Sequence, residues 1–214
     1  MATPFSLIDP EAMGFDDATR TSPHGGTFVA LKSPLLVQFG ENQHDLVLSK
    51  WGLSKPMPGA DDTKRRLEFE PTPADEAKMR AFDEHVAAAI AANTRSWFKK
   101  DKKLEYKPML NERDGQAVGK VKVVCAGDKP TEVFRLSPDK TRATKTTYEA
   151  LEVRGCKLLI AARASSIWFN ATQVGVSFTA LAILVVAEPF AGGLAMFQLM
   201  PGVTDAKDDD ADDA

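Results

Sequence analysis

Apolar residues in this 214-residue chain fall into short runs, most of them bounded by Pro, Gly or Asn. The first are TFVALK (27–32), LLVQFG (35–40) after Pro34, and HDLVLSKW (44–51). Runs of this length between turn-forming residues predict strands. KRRLEFE (64–70) is a fourth, with Leu67 and Phe69 on one face. The stretch SKPMPGADD (54–62) predicts a loop.

The period then changes. Met79, Phe82, Val86 and Ile90 recur at spacings of three and four, which makes one apolar stripe on a helix. Thr72 suits the N-cap and Pro73 the first helical position, and Asp75 and Glu76 suit the positive end of the dipole. The alanine-rich run AFDEHVAAAIAA has high helix propensity, and the helix is expected to end near Asn93–Trp97.

Strand patterns return at GKVKVVC (119–125), where Lys120 and Lys122 share one face and Val121 and Val123 the other. TEVFRL (131–136) follows, then a polar, basic loop, SPDKTRATKTT (137–147). CKLLIAARASSIWF (156–169) and VGVSFTALAILVV (174–186), joined by NATQ, are the two longest strands. About seven strands and one helix predict a mostly β, α+β chain. A helix after the third or fourth strand suits an OB-type five-stranded Greek-key barrel with additional strands. Residues 1–26 lack periodicity and are expected to form a flexible N-terminal arm. The barrel domain then covers 27–187, an apolar connection 188–204, and an acidic tail 205–214.

Charge sharpens the picture. The net charge of −3 conceals a basic centre: residues 95–163 hold 17 basic and 9 acidic side chains, a net of +8. The last ten residues hold six aspartates, Asp205, Asp208, Asp209, Asp210, Asp212 and Asp213, against one lysine. A basic centre attracts polyanions, and an acidic tail can compete for the same surface or serve only to keep the chain soluble.

Signals for catalysis are weak. The three histidines, His24, His44 and His85, lack metal-ligand neighbours at useful spacing, so no metal and no cofactor are expected. Cys125 and Cys156 lie in apolar strands, where inert thiols are expected. Gly115, Gly119 and Lys120 imitate a phosphate loop, but with three residues between the glycines and Val121 in place of Ser or Thr. Non-enzymatic function is the expectation. The start of the chain carries no basic n-region and no apolar h-region, so nothing marks it for secretion and an intracellular location is expected. The charge-free run Ala164–Ala187 breaks at NATQVG and alternates beyond it, which predicts strands and not a membrane span.

Cations and aromatic residues interleave in the basic centre. Trp97 and Phe98 precede Lys99, Lys100, Lys102 and Lys103, and Tyr106 precedes Lys107. Lys120 and Lys122 share a strand face, and Phe134, Arg135, Lys140, Arg142, Lys145 and Arg163 follow. Cations that track phosphates and aromatic faces that accept stacked bases are what a single-stranded nucleic acid requires. Trp97 also continues the helical stripe seven positions after Ile90, so it serves either this surface or the core. Of the adjacent Trp168 and Phe169 one faces inward, and Trp168 is expected to be largely structural.

The order of these features resembles the OB-fold single-stranded-DNA-binding proteins of short-tailed phages and their relatives in large eukaryotic DNA viruses. The resemblance begins at SPLLVQFG (33–40) and runs through the helix and GKVKV. It is sharpest at GCKLLIAARASSIWFNATQVGVSFTALAILV (155–185), and DAKDDDADDA completes it. Three features depart from the phage pattern: the chain ends in Ala214 instead of an aromatic residue, 188–204 has no counterpart, and residues 1–26 match nothing in it. The resemblance implies sequence-nonspecific binding of single-stranded DNA in replication, recombination or repair. It implies polymerase or helicase partners recruited through the tail, often homodimers, and a location at sites of replication in a nucleus or viral factory. Two other readings fit the residues: a viral structural or scaffold protein built on a β-barrel, and an RNA-binding module.

Overall fold

The computed structural model describes residues 2–22, 26–42, 44–55, 63–98, 104–152 and 154–188. Its strands are β1 (Thr3–Pro4), β2 (Phe15–Thr21), β3 (Thr27–Phe39), β4 (Val47–Ser49), β5 (Lys64–Phe69), β6 (Glu105–Lys107) and β7 (Leu110–Arg113). They continue as β8 (Gln116–Val124), β9 (Glu132–Leu136), β10 (Ala143–Thr146), β11 (Cys156–Phe169), β12 (Gln173–Val176) and β13 (Thr179–Ala187). The main helix, α1, is Pro73–Phe98.

Five strands close into a ring. β4 meets β5 through paired Leu48–Glu70 backbone bonds of 3.0 and 2.8 Å. β5 runs antiparallel to β8, and β8 lies parallel to β13 at Lys122–Thr179. β13 is antiparallel to β11, and β11 is antiparallel to β4. Numbered by chain order within the ring, the sequence of neighbours is first, second, third, fifth, fourth and back to first. That is the Greek-key closure of an OB-type barrel, with the remaining strands added around it. The mostly β chain with one main helix is as the sequence predicts. The helix, however, is inserted after the second strand of the ring.

Thr72 caps α1 by accepting the Asp75 N–H at 3.1 Å, and Met79, Phe82, Val86, Ile90 and Trp97 bury their side chains. Two acids on the same helix are also buried and tie it to the barrel. Asp75 accepts the Gly40 N–H at 2.8 Å. Asp83 accepts the Tyr106 hydroxyl at 2.6 Å and the Met109 and Leu110 N–H groups at 2.9 and 3.1 Å. Burial raises both carboxyls above the usual aspartate value, against the lowering effect of these bonds.

The N-terminal arm is corrected. Residues 2–22 pack, because Phe5 is 0% exposed and lies 4.8 Å from the Phe39 ring and 5.9 Å from those of Phe82 and Phe178. An isolated phenylalanine in an aperiodic stretch gives no sign of this, and the aromatic cluster that receives it comes from β3, α1 and the connection between β12 and β13. The two runs expected at 27–32 and 35–40 are one strand. Its ladder with β11 shifts register between Ala164 and Ser166, and at that irregularity Pro34 is accommodated without a donor. The basic loop 137–147 contains β10, which pairs back on β9. The expected connection 188–204 and tail 205–214 lie outside the described residues except Glu188. No helix among the described residues is long and apolar enough to cross a membrane.

Candidate nucleic-acid interface

Strand alternation decides which side chains leave the barrel. Leu67, Val121 and Val123 are buried, so Arg66, Lys120 and Lys122 turn outward. On β11 Ala162 and Ala164 are buried and Arg163 is exposed. The registers then place side chains from five neighbouring strands in one transverse row. Arg66 on β5 pairs with Lys122 on β8, Lys122 with Thr179 on β13, Thr179 with Arg163 on β11, and Arg163 with Leu36 on β3. At a strand spacing of about 4.8 Å, Arg66 and Arg163 stand about 14 Å apart with Lys122 between them. Leu36 ends the row, 44% exposed.

The row is electrostatically open. Among the described residues Lys64, Lys120, Lys122 and Arg163 form no salt bridge, and Arg66 reaches Glu68 only at 4.0 Å. Desolvation lowers the Lys120 ammonium below the usual lysine value, and Arg66 and Lys107 lower it further while Glu68 opposes them. Lys122 is lowered in the same way, by desolvation and then by Lys64. Like charges held together on a sheet, with Glu68 beside Arg66 and Glu105 beside Lys107 as the acids paired to them among the described residues, form a surface that gains from an arriving polyanion.

The structure divides the residues expected from sequence. Lys107, Lys120, Lys122 and Arg163 come together on this face. Arg135, Lys140, Arg142 and Lys145 belong to the β9–β10 hairpin. Phe134 there pairs with Leu184, five residues and about 17 Å along β13 from the Lys122–Thr179 pair. Arg135 is bound to Glu188 at 2.6 Å and Lys145 to Glu132 at 2.8 Å. Trp97 is a core residue, 2% exposed, and its Nε1–H donates to the Asp16 carbonyl at 3.1 Å. Phe98 stands edge-on to Phe169 at 4.7 Å. Tyr106 is anchored by Asp83, and the low dielectric together with that carboxylate pushes its phenol far up. With Phe98, Leu104 and Val174 it lines a small cleft of about 250 Å³. Lys99, Lys100, Lys102, Lys103 and the six tail aspartates lie outside the described residues.

Sequence reasoning missed Lys64 and Arg66. The alternation of KRRLEF that turns Leu67 and Phe69 inward also turns these two cations outward, so the signal was present. Nothing local in the sequence says that β5 pairs with the basic strand β8. Among the described residues no three His, Cys, Asp or Glu side chains gather as a metal site.

No protein-family model matches the chain, and no curated protein matches it either. Among solved structures it is similar to gp2.5, a single-stranded DNA binding protein encoded by bacteriophage T7. That match has a TM-score of 0.46 and 12% identity, and covers 82% of this chain and 100% of the other. It is also similar to the single-stranded DNA-binding protein from bacteriophage Enc34 in complex with ssDNA, at a TM-score of 0.43 and 14% identity, covering 82% of this chain and 98% of the other. A C-terminal truncation of the Enc34 protein gives 0.43 and 14%, covering 80% and 98%. The fold assignment stands on the ring of strands and not on these likenesses. All three are phage proteins, and they lend no support to the expected relationship with large eukaryotic DNA viruses.

Proposed function

We propose that this chain is a non-enzymatic protein that binds single-stranded DNA without sequence preference. The observation that carries the reading is the transverse row Arg66–Lys122–Arg163. Lys64, Lys120 and Lys107 surround it, most of these cations lack an acidic partner among the described residues, and Phe28 and Trp168, paired across β3 and β11, lie on the outer surface of the same sheet. Phosphates satisfy the cations wherever the strand lies, and bases offer stacking faces only when they are not paired. Nothing in such a surface reads base edges, so the binding is indifferent to sequence.

The biological setting follows as part of the same proposal. A protein of this kind acts in replication, recombination or repair, inside the cell at sites where single strands are exposed. Its acidic tail competes with DNA for the basic face and recruits polymerase or helicase, and the chain acts alone or as a homodimer.

The test is fluorescence anisotropy with labelled oligo-dT, the matching duplex and oligo-U, at two salt concentrations, with the intact chain and with residues 205–214 removed. The expected result is salt-sensitive binding that prefers oligo-dT to duplex and strengthens when the tail is removed. Equal, weak binding to single strand and duplex refutes the reading. A preference for oligo-U reassigns the surface to RNA.

A further inference from the structure

A second cross-strand row crosses β11 five residues, about 17 Å, from Arg163 of the cationic one, on the side away from the β9–β10 hairpin. Arg20 on β2 pairs with Phe28 on β3, Phe28 with Trp168 on β11, Trp168 with Gly175 on β12, and Gly175 with Lys107 on β6. Ile167 is fully buried, so its neighbour Trp168 turns away from the core, onto the side that also carries Arg163. The indole rests on Gly175. A Cβ at that glycine would stand 3.1 Å from Trp168 Cζ2, 3.4 Å from Cε2 and 2.7 Å from the Lys107 carbonyl oxygen. The missing side chain is therefore what lets the ring lie across the sheet while β6 approaches closely from the other side.

Two facts separate Trp168 from an ordinary packed tryptophan. It is half-buried, not sealed into the core, although it sits at the centre of five paired strands. Its Nε1–H also has no acceptor among the described residues, whereas the Trp97 Nε1–H is bonded. Buried indole N–H groups ordinarily find a partner, so this side chain is not arranged for the fold alone. The flanks have the matching chemistry. Lys107 and Arg20 each lie two strand spacings from Trp168, about 10 Å on either side, and Phe28 continues the apolar surface toward Arg20.

We propose that Trp168, floored by Gly175 and extended by Phe28, is the base-stacking platform of this face, with Lys107 and Arg20 on the flanking phosphates. The inference rests on the single-strand reading above and moves stacking away from Trp97, Phe98, Tyr106 and Phe134. Arg20 now pairs with Asp16 at 2.6 Å and Lys107 with Glu105. Both pairs are solvent-exposed and exchange for phosphate at little cost.

Intrinsic fluorescence tests it, because the chain holds three tryptophans, Trp51, Trp97 and Trp168. Oligo-dT is titrated into the full chain, Trp168→Phe, Trp97→Phe and Trp168→Ala, with anisotropy of a labelled oligo-dT followed in parallel. Stacking predicts that the parent and Trp97→Phe are quenched on binding and that Trp168→Phe loses most of the quenching while still binding. Trp168→Ala is expected to bind about 5- to 150-fold more weakly with an unchanged salt slope, since no charge is removed. Full quenching in Trp168→Phe, or parental affinity in Trp168→Ala, overturns the platform and leaves the single-strand reading standing. Should Trp168→Ala fail to fold, the Trp168→Phe quenching decides alone. A parent chain that does not bind oligo-dT overturns both.

Discussion

Replacing Arg66, Lys122 and Arg163 together by glutamine removes the charge of the transverse row and keeps side chains of comparable reach. The effect can be worked from the face itself. Seven cations, Arg20, Lys64, Arg66, Lys107, Lys120, Lys122 and Arg163, are placed to meet phosphates, and each phosphate neutralised on a single strand contributes about −0.7 to the slope of log affinity against log salt. The parent slope is then about −5, so a fourfold rise in salt weakens binding roughly 900-fold. With four cations left the slope is about −3, and the same rise costs only roughly 50-fold. The folded state does not suffer, because Lys122 and Arg163 form no salt bridge among the described residues and Arg66 only a long one at 4.0 Å. Removing Arg66 also relieves Lys120 of a neighbouring like charge. The assay is anisotropy of labelled oligo-dT from about 50 to 400 mM salt, with urea melts as the control for folding and the triple variant Lys140→Gln, Arg142→Gln, Lys145→Gln as the control for position. The hairpin triple is expected to keep the parental slope. A parental slope in the row variant, or an equal loss in the hairpin variant, refutes the assignment of this face.

Two further outcomes follow from the same geometry. Asp83→Ala strands the Tyr106 hydroxyl and the Met109 and Leu110 N–H groups, and is expected to cost about 2–4 kcal/mol in a urea melt; an unchanged midpoint would refute the clamp. Burial holds the folded Asp83 carboxyl above its ordinary value of 3.8, so the stability linked to its proton is present below that value and is lost as pH rises through the folded one. The advantage of the parent over Asp83→Asn should therefore shrink from acid toward neutral pH, and a difference independent of pH would be inconsistent with it. For Lys120 and Lys122, held below the ordinary lysine value of 10.5, an arriving phosphate restores the proton. Oligo-dT binding at about pH 9 is then expected to take up protons, seen by calorimetry in two buffers of different ionisation enthalpy. Absence of uptake would show that these lysines do not meet phosphate.

Much of this was legible along the chain because it is local. The stripe of Met79, Phe82, Val86 and Ile90 and the Thr72 cap announce α1, since a helix satisfies its own backbone within four residues and needs only one apolar face. Alternation in GKVKVVC put Lys120 and Lys122 on one side of a strand before any partner was known. The same local character misled where burial depends on distant residues. Phe5 reads as part of an arm because its pocket is made by Phe39, Phe82 and Phe178. Trp97 reads equally well as core or surface until Phe15 and the Asp16 carbonyl close over it.

Period and charge along the chain were enough to establish a mostly β protein with one helix and a basic centre, because both are properties of neighbours in sequence. Strand partners and their register were beyond reach of any local pattern, since backbone hydrogen bonds between strands carry no residue identity and a one-residue slip exchanges the two faces. Pairing alone brought Arg66 beside Lys122, Lys122 and Arg163 to either side of Thr179, and Trp168 over Gly175. A surface made of one or two side chains from each of many strands exists only once those strands are in register.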